Sequence, residues 1–226
     1  MENSVQGLHF TATAEKGVVS AILMRPENAT YLVVVGHRAS TNMRHATMQA
    51  IAEALAEQKI ATFRYNFPYS ENGRGRDSAD VCVETVRSAC RAAREAAPDL
   101  VLLAGGHSFG GRMTSTAQSQ EPLDDVKGLV FFSFPLHLAG RPDTKRAEHL
   151  EQIDIPMLFL SGTRDELAML DLLEPAVAKL GKHAALHKID AANHSYKVLK
   201  KMRTSQENVF AEMARVLNDW ITENRT

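Results

Sequence analysis

Short apolar runs without polar alternation are the feature that most restricts the fold of this 226-residue chain. The clearest are YLVVV at 31–35, LVLLA at 100–104 and MLFL at 157–160. A strand of this kind is covered on both faces, which is typical of a parallel sheet between two layers of helices. The sequence predicts strands at 18–24, 31–36, 60–65, 100–105, 128–134, 157–162 and 184–189.

The segments between these runs carry apolar residues at helical spacing. Residues 44–58 have one apolar face, 79–97 have another that stops before Pro98, and a third stripe lies near the C-terminus. These stripes comprise Met48, Ile51, Ala52 and Leu55; Cys82, Val86, Ala89, Cys90 and Ala93; and Phe210, Met213, Ala214, Leu217, Trp220 and Ile221. Such segments are expected to be the crossover helices that parallel strands require.

The beginning and the middle of the chain complete the expected architecture. Residues 8–13 and 17–25 flank the turn EKG, which predicts an antiparallel hairpin. The segment 135–156 is too short for a helical cap domain, although it is long enough for an ordered loop. We therefore expect one domain over residues 1–226, a three-layer α/β/α sandwich with a mostly parallel sheet and no cap domain.

Composition excludes several classes of partner. The net charge of −1 gives no electrostatic reason to expect nucleic acid or an anionic membrane, and no run approaches the roughly 20 apolar residues of a membrane-spanning helix. Cys82 and Cys90 lie too far apart along one helix for a disulfide, and the first residues do not resemble a signal peptide. We expect a cytoplasmic protein that uses neither metal nor cofactor. The sequence does not decide whether the protein forms a homo-oligomer.

The segment LLAGGHSFGGRM at 102–113 contains the pattern G-x-S-x-G around Ser108. A predicted strand precedes the pattern and a predicted helix follows it, which is the context of a nucleophile elbow. The glycines leave room for a strained turn that lifts the serine hydroxyl above the sheet. The alternative interpretation is a glycine-rich loop that only packs a helix against a strand.

Two further residues follow Ser108 in the order of a Ser-acid-His triad. Asp165 lies just beyond the strand at 157–162, and His194 lies in the loop after 184–189. Because the carboxyl ends of parallel strands share one edge, we expect the three side chains to meet there. Asp165 could instead cap a helix starting at Glu166; the rival acids are Glu166, Asp171 and Asp190.

The loop after the strand at 31–36 is expected to supply part of an oxyanion hole. Its sequence, HRASTNMRH at 37–45, places the Ala39 N–H where it can act together with the N–H of Phe109. Arg38 is unusual there, since its side chain points either to solvent or over the pocket. Polar side chains on the expected rim are candidates for binding the substrate, in particular an anionic group on it: His37, Arg38, His45, Tyr69, His107, Arg112 and His137.

These motifs resemble the α/β-hydrolase superfamily, and within it the small cap-less branch that includes dienelactone hydrolases and the hydrolase-like domain of a subunit of the non-specific lethal chromatin complex. HRASTNMRH is similar to the branch's HGAGGDMNH, and GGHSFGGRM, FLSGTRDEL and NHSYK follow its other motifs. The resemblance implies Ser108 as nucleophile, Asp165 as acid, His194 as base, and Ala39 and Phe109 as oxyanion donors. The chain departs from the pattern at Arg38, Ser40 and Thr41, and at His107, where lysine is frequent.

Two functions follow as expectations from these residues. The first is hydrolysis of a small carboxylic ester or thioester through a Ser-His-Asp triad and an acyl-enzyme. The second is an interaction or scaffold protein that keeps the hydrolase fold with weak or vestigial activity. The complete triad favours the first, and Arg38 in the oxyanion loop is the main argument for the second.

Overall fold

The computed structural model of the protein describes residues 3–199 and 201–224. Eight strands form a single sheet in the order β1-β2-β4-β3-β5-β6-β7-β8. Only the β1–β2 and β2–β4 pairs are antiparallel, so the predicted mostly parallel sheet is confirmed. The strands are β1 Asn3–Thr13, β2 Gly17–Pro26, β3 Tyr31–Gly36, β4 Ile60–Tyr65, β5 Val101–His107, β6 Val126–Phe132, β7 Met157–Gly162 and β8 Ala184–Ile189.

In the described part of the chain six α-helices connect or follow the strands, and the helices expected from apolar periodicity are present. Ser78 caps α3 through a hydrogen bond from the Val81 N–H, and Pro98 follows the end of that helix, so both boundaries have a local cause. The helices are α1 Ala46–Glu57, α2 Pro68–Glu71, α3 Ala79–Ala96, α4 Phe109–Gln120, α5 Leu170–Ala178 and α6 Val209–Asn224.

The sheet lies between two apolar layers, as the three-layer prediction requires. Alternate residues of the central strands enter opposite cores: Leu32 and Val34 face one, and Val33 and Val35 face the other. The first core includes residues of α3, α4 and α5, whereas the second includes residues of α1 and α6. The thiols of Cys82 and Cys90 are free and buried in the first core.

The strand order fixes where a ligand site can form. β3 pairs with both β4 and β5, and the chain leaves β3 towards α1 on one face and leaves β5 towards α4 on the other. The loops after β3 and β5 therefore separate at their carboxyl ends and open a crevice, the usual ligand site of an open α/β sheet.

No cap domain covers that crevice in the described residues. Between β6 and β7 the chain forms loops and one 3-10 helix, Lys145–Gln152. None of the described helices combines the length and the apolar character needed to cross a membrane.

Candidate active site

Ser108 occupies a strained turn between β5 and α4. Its backbone has φ 55° and ψ −113°, a conformation that is costly for a residue with a side chain. The adjoining glycines make the turn possible: a Cβ on Gly106 would lie 2.5 Å from the Gly36 oxygen, and one on Gly110 would lie 2.2 Å from that same oxygen. The glycines lower the helix propensity of the first turn of α4. Because they have no side chains, however, the turn at Ser108 can lie against the end of β3.

Hydrogen bonds hold the serine in this position. Its backbone N–H donates to the Phe132 carbonyl at 2.9 Å, and its carbonyl accepts from the Arg112 N–H at 3.1 Å. The side-chain oxygen lies 2.7 Å from Nε2 of His194. The hydroxyl is therefore oriented towards the imidazole and not towards the backbone.

His194 lies in a tightly folded loop after β8. Oδ1 of Asn193 accepts the N–H groups of Ser195 and Lys197, both at 3.0 Å, and closes the turn. The loop also packs on the end of β7, where a Cβ on Gly162 would come within 2.3 Å of the Ala192 oxygen. These contacts fix the loop that carries the imidazole.

Asp165 completes the hydrogen-bonded chain. Its Oδ1 and Oδ2 lie 2.9 and 2.8 Å from Nδ1 of His194, and its side chain is fully buried. Oδ1 also accepts the Leu167 N–H at 2.8 Å. A carboxylate at this place holds the proton on Nδ1, which leaves Nε2 free to accept the proton of Ser108.

The alternative in which Asp165 caps a helix starting at Glu166 is wrong, because α5 begins only at Leu170. Asp165 accepts a backbone N–H in a turn and caps no helix. Of the rival acids, Glu166 and Asp171 are exposed, and Asp190 accepts both the N–H and the hydroxyl of Thr204. Asp165 is thus the acid that the fold brings to His194.

His107 lies beneath the base, where a substrate does not reach it. The ring is completely buried and its Nε2 donates to the His194 carbonyl at 3.1 Å. Burial lowers the pKa of His107 to about 3, so the ring is neutral at physiological pH. The structure therefore replaces the expected substrate contact with support of the loop that carries His194.

The rings of His37, His45 and His137 also form hydrogen bonds with backbone groups and so hold the loops in place. His37 donates from Nδ1 to the Arg38 carbonyl and accepts the Phe67 N–H at Nε2, at 2.8 and 3.2 Å. His137 binds the Leu138 carbonyl and the Met169 N–H in the same way. Both rings are buried with both nitrogens used, which corrects the expected contacts with substrate. His45 accepts the Thr47 N–H and caps α1.

The loop after β3 is fixed at the Arg38 carbonyl. That oxygen accepts Nδ1–H of His37 at 2.8 Å and both the N–H and the hydroxyl of Thr41 at 3.2 Å. Because a trans peptide directs its N–H opposite to its C=O, the Ala39 N–H points away from these three donors. The Phe109 N–H opens α4 and has no acceptor within that helix.

The Arg38 side chain is bound to the protein. Its Nη1 donates to the Ser195 hydroxyl at 2.9 Å, and the side chain is half-buried. Ser195 is the residue after His194, so this bond joins the loop after β3 to the loop of the base. No local pattern predicts this link, because Arg38 and Ser195 are 157 positions apart.

Aromatic rings lie beside the elbow. Tyr69 stacks on Phe67 with ring centres 5.9 Å apart, and both rings meet Phe109 edge-on. The guanidinium of Arg76 lies 5.3 Å above the Phe109 ring. Arg112, half-buried in the first turn of α4, makes no side-chain hydrogen bond or ion pair within residues 3–199 and 201–224. Phe67 and Arg76 were not expected, although both lie in FRYNFPYSENGRGRDS at 63–78.

The fold and the sequence both have known counterparts. A dienelactone hydrolase from Anabaena variabilis superposes with a TM-score of 0.76 over 99% of each chain at 16% identity. A lid-less α/β serine hydrolase from Xanthomonas campestris gives 0.72 at 18% identity, over 99% of this chain and 96% of the other. The esterase Est1E from Butyrivibrio proteoclasticus gives 0.72 at 15% identity, over 97% and 98%. At such identities these similarities establish the fold.

A family model described as an alpha/beta hydrolase domain matches residues 29–222, from just before β3 to near the end of α6. The match includes Ser108, Asp165 and His194. The chain belongs to the α/β-hydrolase family.

Proposed function

We propose that this protein is a serine hydrolase that cleaves a small carboxylic ester or thioester through Ser108, His194 and Asp165. The observation that carries the proposal is the continuous chain of short contacts, 2.7 Å from Ser108 to His194 and 2.8 Å from His194 to Asp165. Nucleophile, base and acid are in hydrogen-bond contact before any substrate binds.

In the proposed acylation step, His194 Nε2 takes the proton of Ser108 while Oγ attacks the carbonyl carbon. The N–H groups of Ala39 and Phe109 donate to the oxyanion, and the Asp165 carboxylate stabilises the imidazolium. The tetrahedral intermediate collapses, His194 gives its proton to the departing alcohol or thiol, and an acyl-Ser108 ester remains.

Deacylation uses the same groups in reverse. His194 takes a proton from water, and the resulting hydroxide attacks the acyl carbon and releases the carboxylic acid with Ser108 reprotonated. The absence of a cap between β6 and β7 in the described residues suits a small or accessible acyl group. The relatives described as a dienelactone hydrolase and as esterases support the same reaction class.

A fluorophosphonate probe tests the proposal directly. The wild-type protein should be labelled at Ser108, because the probe reacts with an activated serine, and should hydrolyse p-nitrophenyl acetate. Ser108→Ala should lose the label and several orders of magnitude in rate. Ser115→Ala is the matched control, since Ser115 lies in α4 and binds His149 instead. A protein that is neither labelled nor active would leave the scaffold alternative as the better explanation, and a Ser108→Ala variant as active as the wild type would exclude Ser108 as the nucleophile.

A further inference from the structure

Three arginines lie in α4 or in segments that contact it, and α4 begins directly after Ser108. Arg112 lies one helical turn after Ser108, and its N–H binds the Ser108 carbonyl. Arg76 stacks over Phe109, the residue that follows the nucleophile. Arg146 donates to the Pro135 and His137 carbonyls in the segment after β6. The guanidiniums of Arg76 and Arg146 are thus each held by a contact within the protein, although Arg76 is otherwise exposed.

These positive charges act on one another. Burial and the charges of Arg146 and Arg76 lower the pKa of Arg112, and burial, together with the charge of Arg76, lowers the pKa of Arg146 against the opposing effect of Asp143. Since an arginine stays protonated at any physiological pH, the shifts report repulsion and desolvation and not loss of charge.

No carboxylate of the described residues forms a direct ion pair with the cluster, although the charge of Asp143 acts on Arg146. No ion pair within 4.0 Å joins any of the three guanidiniums to an acid in residues 3–199 and 201–224. Asp77, next to Arg76 in sequence, pairs with Lys16 at 2.8 Å, and Asp143 accepts the Lys145 N–H at 3.0 Å. The Phe109 ring and two carbonyls hold the cations in place without cancelling their charge.

An unused hydroxyl lies in the same region. The Tyr69 ring meets Phe109, and the Tyr69 oxygen is buried with no hydrogen-bond partner in the described residues. Arg76 is close enough to affect the pKa of this hydroxyl, although burial dominates and raises that pKa. Because the Tyr69 oxygen is buried, the three guanidiniums without an ion pair in the described residues are the groups that match the acceptor oxygens of one anionic group.

We propose that Arg76, Arg112 and Arg146 form a subsite for an oxyanion, a carboxylate or a phosphate, carried by the ester or thioester that Ser108 attacks. This inference rests on the proposed hydrolase function and specifies its substrate class. Arg112 is the central residue, because it is half-buried and lies one turn of helix, about 6 Å along the axis, from the nucleophile.

Matched ester pairs test the carboxylate form. The pairs are mono-4-nitrophenyl glutarate with its methyl ester, and 3-acetoxybenzoate with its methyl ester, so that the charge lies on the acyl half or on the alcohol half. We expect the wild-type protein to favour the anionic member of at least one pair by roughly tenfold or more in kcat/KM, after subtraction of spontaneous hydrolysis. Arg112→Gln and Arg76→Gln should bring that ratio towards one, because they lower kcat/KM for the anionic member more than for the neutral one.

Binding of inorganic phosphate tests whether the subsite accepts a phosphate group. It also separates this inference from the proposed function, because it requires no ester hydrolysis. Phosphate should compete with the esters and raise the Tm of wild-type and Ser108→Ala protein, with weaker effects in Arg112→Gln. Arg91→Gln, which removes an exposed arginine paired with Glu84, is the control and should match the wild type. A Tm shift without ester hydrolysis would support the subsite and reject the hydrolase; no anionic preference and no effect of phosphate would overturn the subsite.

Discussion

The charged groups around Ser108 form two sets that differ in how they are paired. In the first set, His194 and Asp165 are joined by two contacts below 3 Å, and the loop of the base is itself hydrogen-bonded. In the second set, Arg76, Arg112 and Arg146 face no carboxylate within ion-pair distance in the described residues. Groups proposed to move protons are fixed by the protein, whereas groups proposed to meet the substrate keep their charge available.

This difference is what preorganisation predicts for a catalyst. Proton transfer needs donor and acceptor in contact before the reaction, so their hydrogen bonds are formed within the protein. Substrate recognition needs unmatched charge, because a cation already paired with an acid would gain little from a second anion. The largest loss of activity is therefore expected from a substitution in the first set, His194 and Asp165.

Asp165→Asn should give the largest effect. Asparagine keeps the size of the side chain but cannot stabilise the imidazolium, and its amide favours the wrong tautomer of His194. We expect kcat/KM for p-nitrophenyl acetate to fall about 10³- to 10⁴-fold, with a much smaller change in KM.

Asp190→Asn is the matched control for this change. Asp190 lies four residues before His194 and binds Thr204, so its amide variant should hydrolyse the ester within about threefold of the wild type. Equal losses in the two variants would show that Asp165 acts only through the stability of the fold, which a thermal melt would register.

Much of the paired set could be predicted from the sequence, and the reason is topological. Ser108, Asp165 and His194 each follow a strand whose apolar run is visible, and parallel strands bring their carboxyl ends together. The roles of His37, His107 and His137 could not be predicted in this way. Their partners are distant in sequence, as with the His194 carbonyl, 87 positions from His107, and only the folded chain shows that these rings are buried.

The arginine cluster illustrates the same limit. Arg112 could be named because it belongs to the elbow motif, but Arg76 and Arg146 come from α2–α3 and β6–β7 connections that contain many polar residues. A charge in a loop is usually solvated, and nothing local distinguishes these two. Likewise, the hydrogen bond from the Leu167 N–H to Asp165 closes a turn, and α5 begins only at Leu170, which the sequence after Asp165 does not show.

Substitution of His107 should have an intermediate effect on activity. It tests whether the hydrogen bond from His107 to the His194 carbonyl orients His194. His107→Leu leaves the buried His194 carbonyl without its donor, which should lower kcat roughly tenfold because the loop of the base loses its orientation. His107→Gln retains a donor and should keep most of the activity. Steady-state kinetics on p-nitrophenyl acetate measures both, and equal losses in the two variants would exclude an orienting hydrogen bond.

Acid stability offers a second readout for the same variants. The pKa of His107 falls from its ordinary value of 6.5 to about 3 in the folded protein, so the unfolded chain binds the proton first. The free energy of unfolding should therefore decrease as the pH falls from about 6.5 towards 3, by at most ~1.4 kcal/mol per pH unit for this group. His107→Gln should weaken that decrease in urea titrations at several pH values.

Loss of the hydrogen bond between Arg38 and Ser195 should have a smaller effect on activity than the substitutions of Asp165 and His107. The bond joins two loops that other hydrogen bonds already fix. Arg38→Gln and Ser195→Ala should each lower kcat/KM two- to tenfold, and the double variant should be little worse than either alone, since both changes remove one contact. Arg44→Gln, an exposed change in the same loop, is the control. Losses that multiply, or a loss near 10³-fold for Arg38→Gln alone, would place the Arg38 guanidinium on the substrate and add a fourth cation to the unpaired set.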